Sequence, residues 1–207
     1  MNKKADVVII GGGVTGCSLA YKLSKKGLDV CLFEKSYLSS GATGCCGAGI
    51  RQQWSTRENA ELAKKSIELF EKLSKTLNYD IELRQGGYLI AVHDEEEMRQ
   101  AEKNVEMQRS LGIKVDILSP EKINDVASIL DVKGMNVVGA TFCATDGHAN
   151  PFKTTFAYAN AAKKSGANIF THTEVKDIKV NKGEIKEVIT TKGSIKTNVV
   201  VNAAGVW

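Results

Sequence analysis

An α/β fold built on a buried parallel sheet is what this sequence predicts, and three observations predict it. Four aliphatic residues, Val7, Val8, Ile9 and Ile10, run directly into glycines. A helix-periodic stretch follows those glycines, and a second strand, residues 29–33 with apolar Val30 to Phe33, closes on the acidic Glu34. Strands covered on both faces read as continuous aliphatic runs rather than alternating ones. With 207 residues, 43% hydrophobic and 25% charged, the chain can hold one domain, or one domain with a modest insertion.

The first strand is expected over residues 6–10. It leads into Gly11-Gly12-Gly13-Val14-Thr15-Gly16, which matches GxGxxG through Gly11, Gly13 and Gly16. The following helix should carry Leu19, Ala20 and Leu23 toward the sheet and end near Gly27. Gly11 then allows the tight turn, Gly13 lets the backbone approach a pyrophosphate, and Gly16 lets the helix pack closely on the strand. The first-turn amides, at Val14 and Thr15, meet the phosphates where unpaired donors and the helix dipole both favour an anion. Glu34, ending the second strand, can accept hydrogen bonds from a ribose 2'-hydroxyl and would repel a 2'-phosphate. Alone, GxGxxG could be a glycine-rich turn beside a surface glutamate. Strand, glycines, helix, strand and terminal acid in order specify a Rossmann-type dinucleotide site, without distinguishing NAD from FAD.

Other features narrow the classes. The formal charge of +4 comes from lysines interspersed with glutamates, a solvated surface rather than a nucleic-acid face. Residues 2–4 are polar and the run at 7–10 is too short for a signal peptide or membrane span; neither a leader nor a membrane span is expected. The five cysteines, Cys17, Cys31, Cys45, Cys46 and Cys143, are odd in number and form no CxxC pair, which fits a reducing cytoplasm. Adjacent Cys45 and Cys46 invite a redox role, against the simpler one of small residues packed beneath a cofactor. His93, His148 and His172 are scattered, so no metal site is expected.

Residues 41–49 hold four glycines among small residues, which suits a backbone passing close to a flat or extended ligand. From Gly41-Ala42-Thr43-Gly44 through Gly49-Ile50-Arg51-Gln52-Gln53-Trp54, the sequence resembles the FAD-dependent amino-acid oxidase family. That family includes glycine oxidase, monomeric sarcosine oxidase, and the beta subunits of multi-subunit sarcosine oxidase and proline or hydroxyproline dehydrogenases; the beta-subunit branch is the nearest. The resemblance implies FAD as cofactor. It sets Ala42, Thr43 and Gly44 near the diphosphate and ribityl chain, and Gly47, Ala48, Gly49 and Ile50 beside the isoalloxazine. Lys35, next to Glu34, joins the cofactor-binding set. Arg51 would lie near the active face, where a guanidinium can stabilise a substrate carboxylate or the anionic reduced flavin; its alternative is a surface arginine capping the next helix. Residues 166–175 resemble the family's third strand, with the Val175 backbone meeting adenine. Residues 177–197 resemble its three-stranded β meander. The strand at 199–201 and the turn Asn202-Ala203-Ala204-Gly205 resemble the segment that approaches FAD, adding Ala203, Ala204 and Gly205 to the set.

Between these pieces, residues 55–79 read as a helix with Ala63, Ile67, Phe70, Leu73 and Leu77 on one face. A turn and strand follow at 86–92, a helix at 95–111 and a strand at 137–143. The resemblance implies that this stretch is a partial α+β substrate domain inserted into the Rossmann domain, with its sheet face over the flavin ring. The expected division is FAD-binding domain 1–83, insertion 84–145, FAD-binding domain 146–207. Where multi-subunit sarcosine oxidases carry an FMN-linking histidine, Pro151 stands, so no covalent FMN is expected. Pro151 suits an early helix position, and His148 suits a capping or loop role better than acid-base catalysis.

The implied activity is oxidation of the C–N bond of an amine or amino acid to an imine, by hydride transfer to flavin N5. The chain ends just after Gly205, whereas full-length members of the family continue. A second expectation is therefore an FAD-binding fragment or subunit, inactive until completed by a further segment, a partner subunit or a second copy. A weaker third is an NAD-dependent dehydrogenase, against which residues 41–54 count.

Overall fold

The computed structural model describes residues 4–206; residues 1–3, with the polar Asn2 and Lys3, and the terminal Trp207 lie outside the described residues. In chain order the first elements are β1 (Val7–Ile10), α1 (Val14–Ser24), β2 (Val30–Phe33), β3 (Gly49–Ile50) and α2 (Arg57–Leu77). Then come β4 (Tyr88–Val92), α3 (Glu95–Ser110), β5 (Asp116–Leu118), α4 (Pro120–Val126), β6 (Gly139–Cys143) and β7 (Gly147–His148). The chain closes with α5 (Pro151–Lys164), β8 (Asn168–Phe170), β9 (Val175–Asn181), β10 (Glu184–Thr190), β11 (Gly193–Lys196) and β12 (Val200–Asn202).

Packing divides the chain into two compact units. The first takes residues up to 48, residues 74–81 and residues from 150 onward; the second takes 49–73 and 82–149. Residues 49–73 group with residues 82–149, whereas the expected divisions fell at 83/84 and 145/146.

In the first unit a four-stranded sheet runs β12-β1-β2-β8, every pair parallel. Val8, Ile9, Val30, Cys31 and Leu32 are wholly buried, as their unbroken aliphatic runs require. Burying each large aliphatic side chain contributes about 1.5–3 kcal/mol relative to exposure. The crossover through α1 and the return of β8 beside β2 give the Rossmann-like α/β order. Helix α1 buries Gly16, Cys17, Ala20, Tyr21 and Ser24, while Leu19 and Leu23 are half-buried. The expected leucine face is thus rotated. Small residues let α1 close on α5, where Ser24 Oγ reaches the Ala162 carbonyl at 3.5 Å and the Tyr21 and Tyr158 rings lie 6.1 Å apart. Asn150 caps α5 by accepting from the Lys153 amide, with Pro151 in the first turn, as its missing amide permits.

The antiparallel meander β11-β10-β9 packs on this sheet. Val188 and Ile195 join Ala5, Val8, Cys31 and Phe33 in one core cluster, flanked by Phe170, Val175, Ile178 and Val200. The Phe33 and Phe170 rings stack with centroids 5.3 Å apart.

The second unit holds an antiparallel sheet, β4-β6-β5. One cluster gathers Ala60, Val105, Ile113, Val115 and Cys143; another gathers Ile123, Val132, Val137 and Ala140. Asp94 caps α3 by accepting from the Glu96 and Glu97 amides. Along α2, Ile67, Leu73 and Leu77 are buried as expected, with Ala63 and Phe70 half-buried. β5 and α4 were not foreseen. Among the described residues, no helix is long and apolar enough to cross a membrane and no side-chain group is set to hold a metal ion.

Candidate functional site

The glycine loop sits where β1 stops. Gly11 has φ +112°, and a Cβ there would fall 2.4 Å from the Ala203 carbonyl oxygen. A Cβ on Gly16 would fall 2.0 Å from the Gly11 carbonyl oxygen, so the helix can begin this close to the loop only on glycine. Gly13 stands at the N-cap of α1, extended and with no side-chain cap. Gly13 therefore offers no side-chain acceptor to the first-turn amides. Thr43 serves one of them: its Oγ1 accepts from the Val14 amide at 3.2 Å. Thr15, exposed, occupies the same first turn.

Glu34 is buried, with 8% exposure. Its Oε2 accepts from the Gly12 amide at 2.7 Å, and its Oε1 from the Ser36 amide at 2.8 Å and Ser40 Oγ at 3.3 Å. The carboxylate therefore braces the glycine loop as well as ending β2, while an ionised carboxylate has about four acceptor positions. The sequence reading missed this clasp. Gly12, a free position in GxGxxG, is committed too: a Cβ there would meet Leu38 Cδ2 at 2.7 Å and Glu34 Cβ at 2.9 Å. Ser39 completes the clasp, its amide donating to the Gly12 carbonyl at 3.1 Å. The local signal was Ser36, Ser39 and Ser40 crowding in after an acidic strand end.

Of the other expected residues of this unit, Ala203 and Ala204 lie against Gly11. Ala203 donates its amide to the Ile10 carbonyl at 2.8 Å, Ala204 donates to Asn202 Oδ1 at 3.1 Å, and Gly205 has φ +73°. Val175 opens β9 opposite Thr190, half-buried. Gly44 is wedged against the Ser39 carbonyl and the Phe152 ring, Ala42 and Lys35 are exposed, and Gly47 has open space around it. Ala48 is left-handed at φ +61°. Cys45 and Cys46 are both exposed, with Cys46 Sγ 3.1 Å from the Thr43 carbonyl. Burial pushes the Cys17 thiol up to about 12, with the Glu34 charge adding to it, and that of Cys31 up to about 11.

In the second unit, Gly49 and Ile50 pair with His148 and Gly147 across β3 and β7. His148 is thus an exposed strand residue, not a helix cap. The Arg51 guanidinium lies over the Trp54 ring at 4.4 Å and near the Tyr88 ring at 5.8 Å, while Trp54 Nε1 donates to the Arg51 carbonyl at 3.0 Å. Stacking on aromatic rings replaces the helix-capping alternative for Arg51, since α2 begins only at Arg57. Behind it, fully buried Asp146 receives donors from Gln52 and Gln53, a second cluster the sequence reading missed.

A family model described as FAD dependent oxidoreductase matches residues 6–207. The chain belongs to the FAD-dependent amino-acid oxidase family. Among solved structures, L-proline dehydrogenase from P. horikoshii superposes with a TM-score of 0.93 and 39% identity, covering 100% of this chain and 54% of that one. Sarcosine oxidase subunit beta from Arthrobacter sp is 31% identical over 206 residues, covering 97% of this chain and 51% of that protein. Glycerol 3-phosphate dehydrogenase from Caloramator mitchellensis is 34% identical over 209 residues, covering 98% of this chain and 42% of that protein. The chain spans from about a quarter to about half the length of the relatives it matches.

The residues present fit the nucleotide end of FAD. Gly13 brings no side chain to the start of α1, so the first-turn amides beyond Val14 can meet a pyrophosphate, the glycines keep side chains out of the approach, and Glu34 offers a buried acceptor at the strand end.

Proposed function

We propose that this chain is the FAD-binding part of an oxidoreductase that oxidises the C–N bond of an amine or amino acid. The observation that carries the cofactor reading is the joint geometry of α1 and Glu34: a helix start whose N-cap, Gly13, has no side chain to cap it, braced through Gly12 by the Glu34 carboxylate that follows β2. In this reading Gly11, Gly13, Val14, Thr15 and Gly16 cradle the pyrophosphate, and Glu34 takes the ribose. Lys35, Val175, Ala203, Ala204 and Gly205 line the nucleotide, and residues 42–50 follow the ribityl chain toward the ring. FAD, when bound, supplies the acceptor for the two electrons of C–N oxidation.

The protein's own part is binding and orientation. Arg51 presents a fixed cation to a substrate carboxylate, and its two aromatic neighbours hold it in place. The second unit, with its antiparallel sheet, is proposed as part of the substrate domain. The share of each relative that the chain covers, and the subunit named in one of them, support the further proposal that turnover needs an additional segment, a partner subunit or a second copy. A second substrate reading has specific support in the glycerol 3-phosphate dehydrogenase relative: there Arg51 would meet a phosphate and the oxidised bond would be C–O.

Anaerobic bleaching of the flavin in the complete protein separates the two readings. The panel is glycine, sarcosine, proline, hydroxyproline and D-amino acids against glycerol 3-phosphate. Bleaching by an amine supports the first reading. Bleaching by glycerol 3-phosphate alone would replace it with the second.

A further inference from the structure

We propose that Asp146 is a positioning residue, fixing Arg51 and its aromatic neighbours as a bracket for a substrate carboxylate. This rests on the reading of Arg51 as the carboxylate-binding group.

Asp146 has 0% exposure. Its Oδ1 accepts from the Gln52 amide at 3.0 Å and from Gln52 Nε2 at 3.0 Å, and its Oδ2 from Gln53 Nε2 at 3.4 Å. The β3–β7 ladder pairs Gly49 with His148 and Ile50 with Gly147, so its next step would set Arg51 opposite Asp146. There the side-chain carboxylate takes the Gln52 amide, extending the ladder past its last backbone pair and pinning the peptide that follows Arg51.

Gln53 spreads that anchor to the other side of the bracket. Its Nε2 donates to the Tyr88 carbonyl at 2.8 Å, and its Oε1 accepts from Thr141 Oγ1 at 2.7 Å. The Trp54 carbonyl is held in turn by Gln108 Nε2 at 2.8 Å. One buried carboxylate thus fixes the backbone on both sides of the guanidinium, that of residues 51–53 and that of Tyr88. A carboxylate accepts only, so all three donors can point at it, whereas an asparagine would turn an NH₂ against at least one of them. Burying a charge among neutral donors is costly, and a turn alone would not require it. What the arrangement secures is the direction of a planar guanidinium fork, whose match to a carboxylate depends on orientation.

The test uses the 207-residue chain carrying Trp207→Phe, which leaves Trp54 as the sole tryptophan. Acetate is titrated at constant ionic strength with acetamide as the neutral control, and Trp54 fluorescence is the readout. In this parent, acetate should shift the emission saturably and acetamide should not; Arg51→Met should abolish the response. Asp146→Asn, and independently Gln53→Met, should weaken acetate binding about tenfold, the scale of one lost buried hydrogen bond. Should Asp146→Asn not fold, Gln53→Met, which removes the Gln53 links to Asp146, Tyr88 and Thr141 but leaves both Gln52 donors on Asp146, decides alone. Parent-like acetate affinity in the folded variants, with only the melting temperature lowered, would make the network merely structural and overturn the proposal. No acetate response in the parent would instead remove the Arg51 reading, and this proposal with it.

Discussion

Replacing Glu34 by alanine should cost the protein twice, once in its own stability and once in FAD affinity. The side chain is buried and accepts two backbone amides, from Gly12 at 2.7 Å and Ser36 at 2.8 Å. Hydrogen bonds to a charged acceptor contribute about 1.5–3 kcal/mol each. Because both share one carboxylate and the loop can relax toward water, about 3 kcal/mol is a reasonable joint loss for the ligand-free protein. For a chain of this size that lowers the melting temperature by about 6–12 °C. If the carboxylate also receives the ribose, FAD binding should weaken by a further 1.5–3 kcal/mol, about ten- to 150-fold. Glu34→Gln keeps the volume and one acceptor oxygen while setting an NH₂ against one donor, so it should lose about half of each quantity. Thermal unfolding followed by circular dichroism gives the first number, and calorimetric titration with FAD the second. A Glu34→Ala protein that melts at the wild-type temperature would refute the clasp. One that melts low but binds FAD with unchanged affinity would leave Glu34 a loop brace with no contact to the ribose.

Three further outcomes follow. Gly16→Ala puts a methyl 2.0 Å from the Gly11 carbonyl oxygen, backbone that cannot step aside, so it should destabilise by more than about 3 kcal/mol, beyond ordinary overpacking; a protein of wild-type stability would contradict the loop geometry. For Cys17, burial holds the folded thiol at about 12 against an ordinary 9.0. A raised folded value means the contribution is complete below pH 9 and is lost as pH rises toward 12, so Cys17→Ala should flatten part of the alkaline fall in unfolding free energy. In native protein at neutral pH a thiol reagent should modify exposed Cys45 and Cys46 quickly and buried Cys17, Cys31 and Cys143 only on unfolding; rapid modification of Cys17 would contradict its packing.

What the sequence made legible was local. Val7 to Ile10, the glycines, and the run ending in Glu34 each carry their signal within a few residues, and so does the Asn150-Pro151 start of α5. The meander was legible for the same reason, since glycine turns at Gly183 and Gly193 divide its strands. The face of α1 was misjudged because aliphatic size suggested Leu19 and Leu23, whereas close approach of α5 selects the small residues Gly16, Cys17, Ala20 and Ser24. β5 and α4 escaped because three residues and seven residues give too little periodicity to read. The Asp146 cluster escaped for a different reason: Gln52 and Asp146 stand 94 positions apart, and only the fold brings a buried carboxylate to those amides. Arg51 was picked out by resemblance, but nothing in the spacing of Trp54 and Tyr88 announced that both rings would flank it.

The central claim is that the glycine-started α1 and Glu34 receive the nucleotide end of FAD, and its most direct test is binding to the 207-residue chain. FAD and NAD are titrated separately by calorimetry, with ADP and FMN as competitors of FAD. The account predicts saturable FAD binding in the micromolar range or weaker, displaced by ADP and not by FMN. Saturable binding of NAD with none of FAD would contradict it.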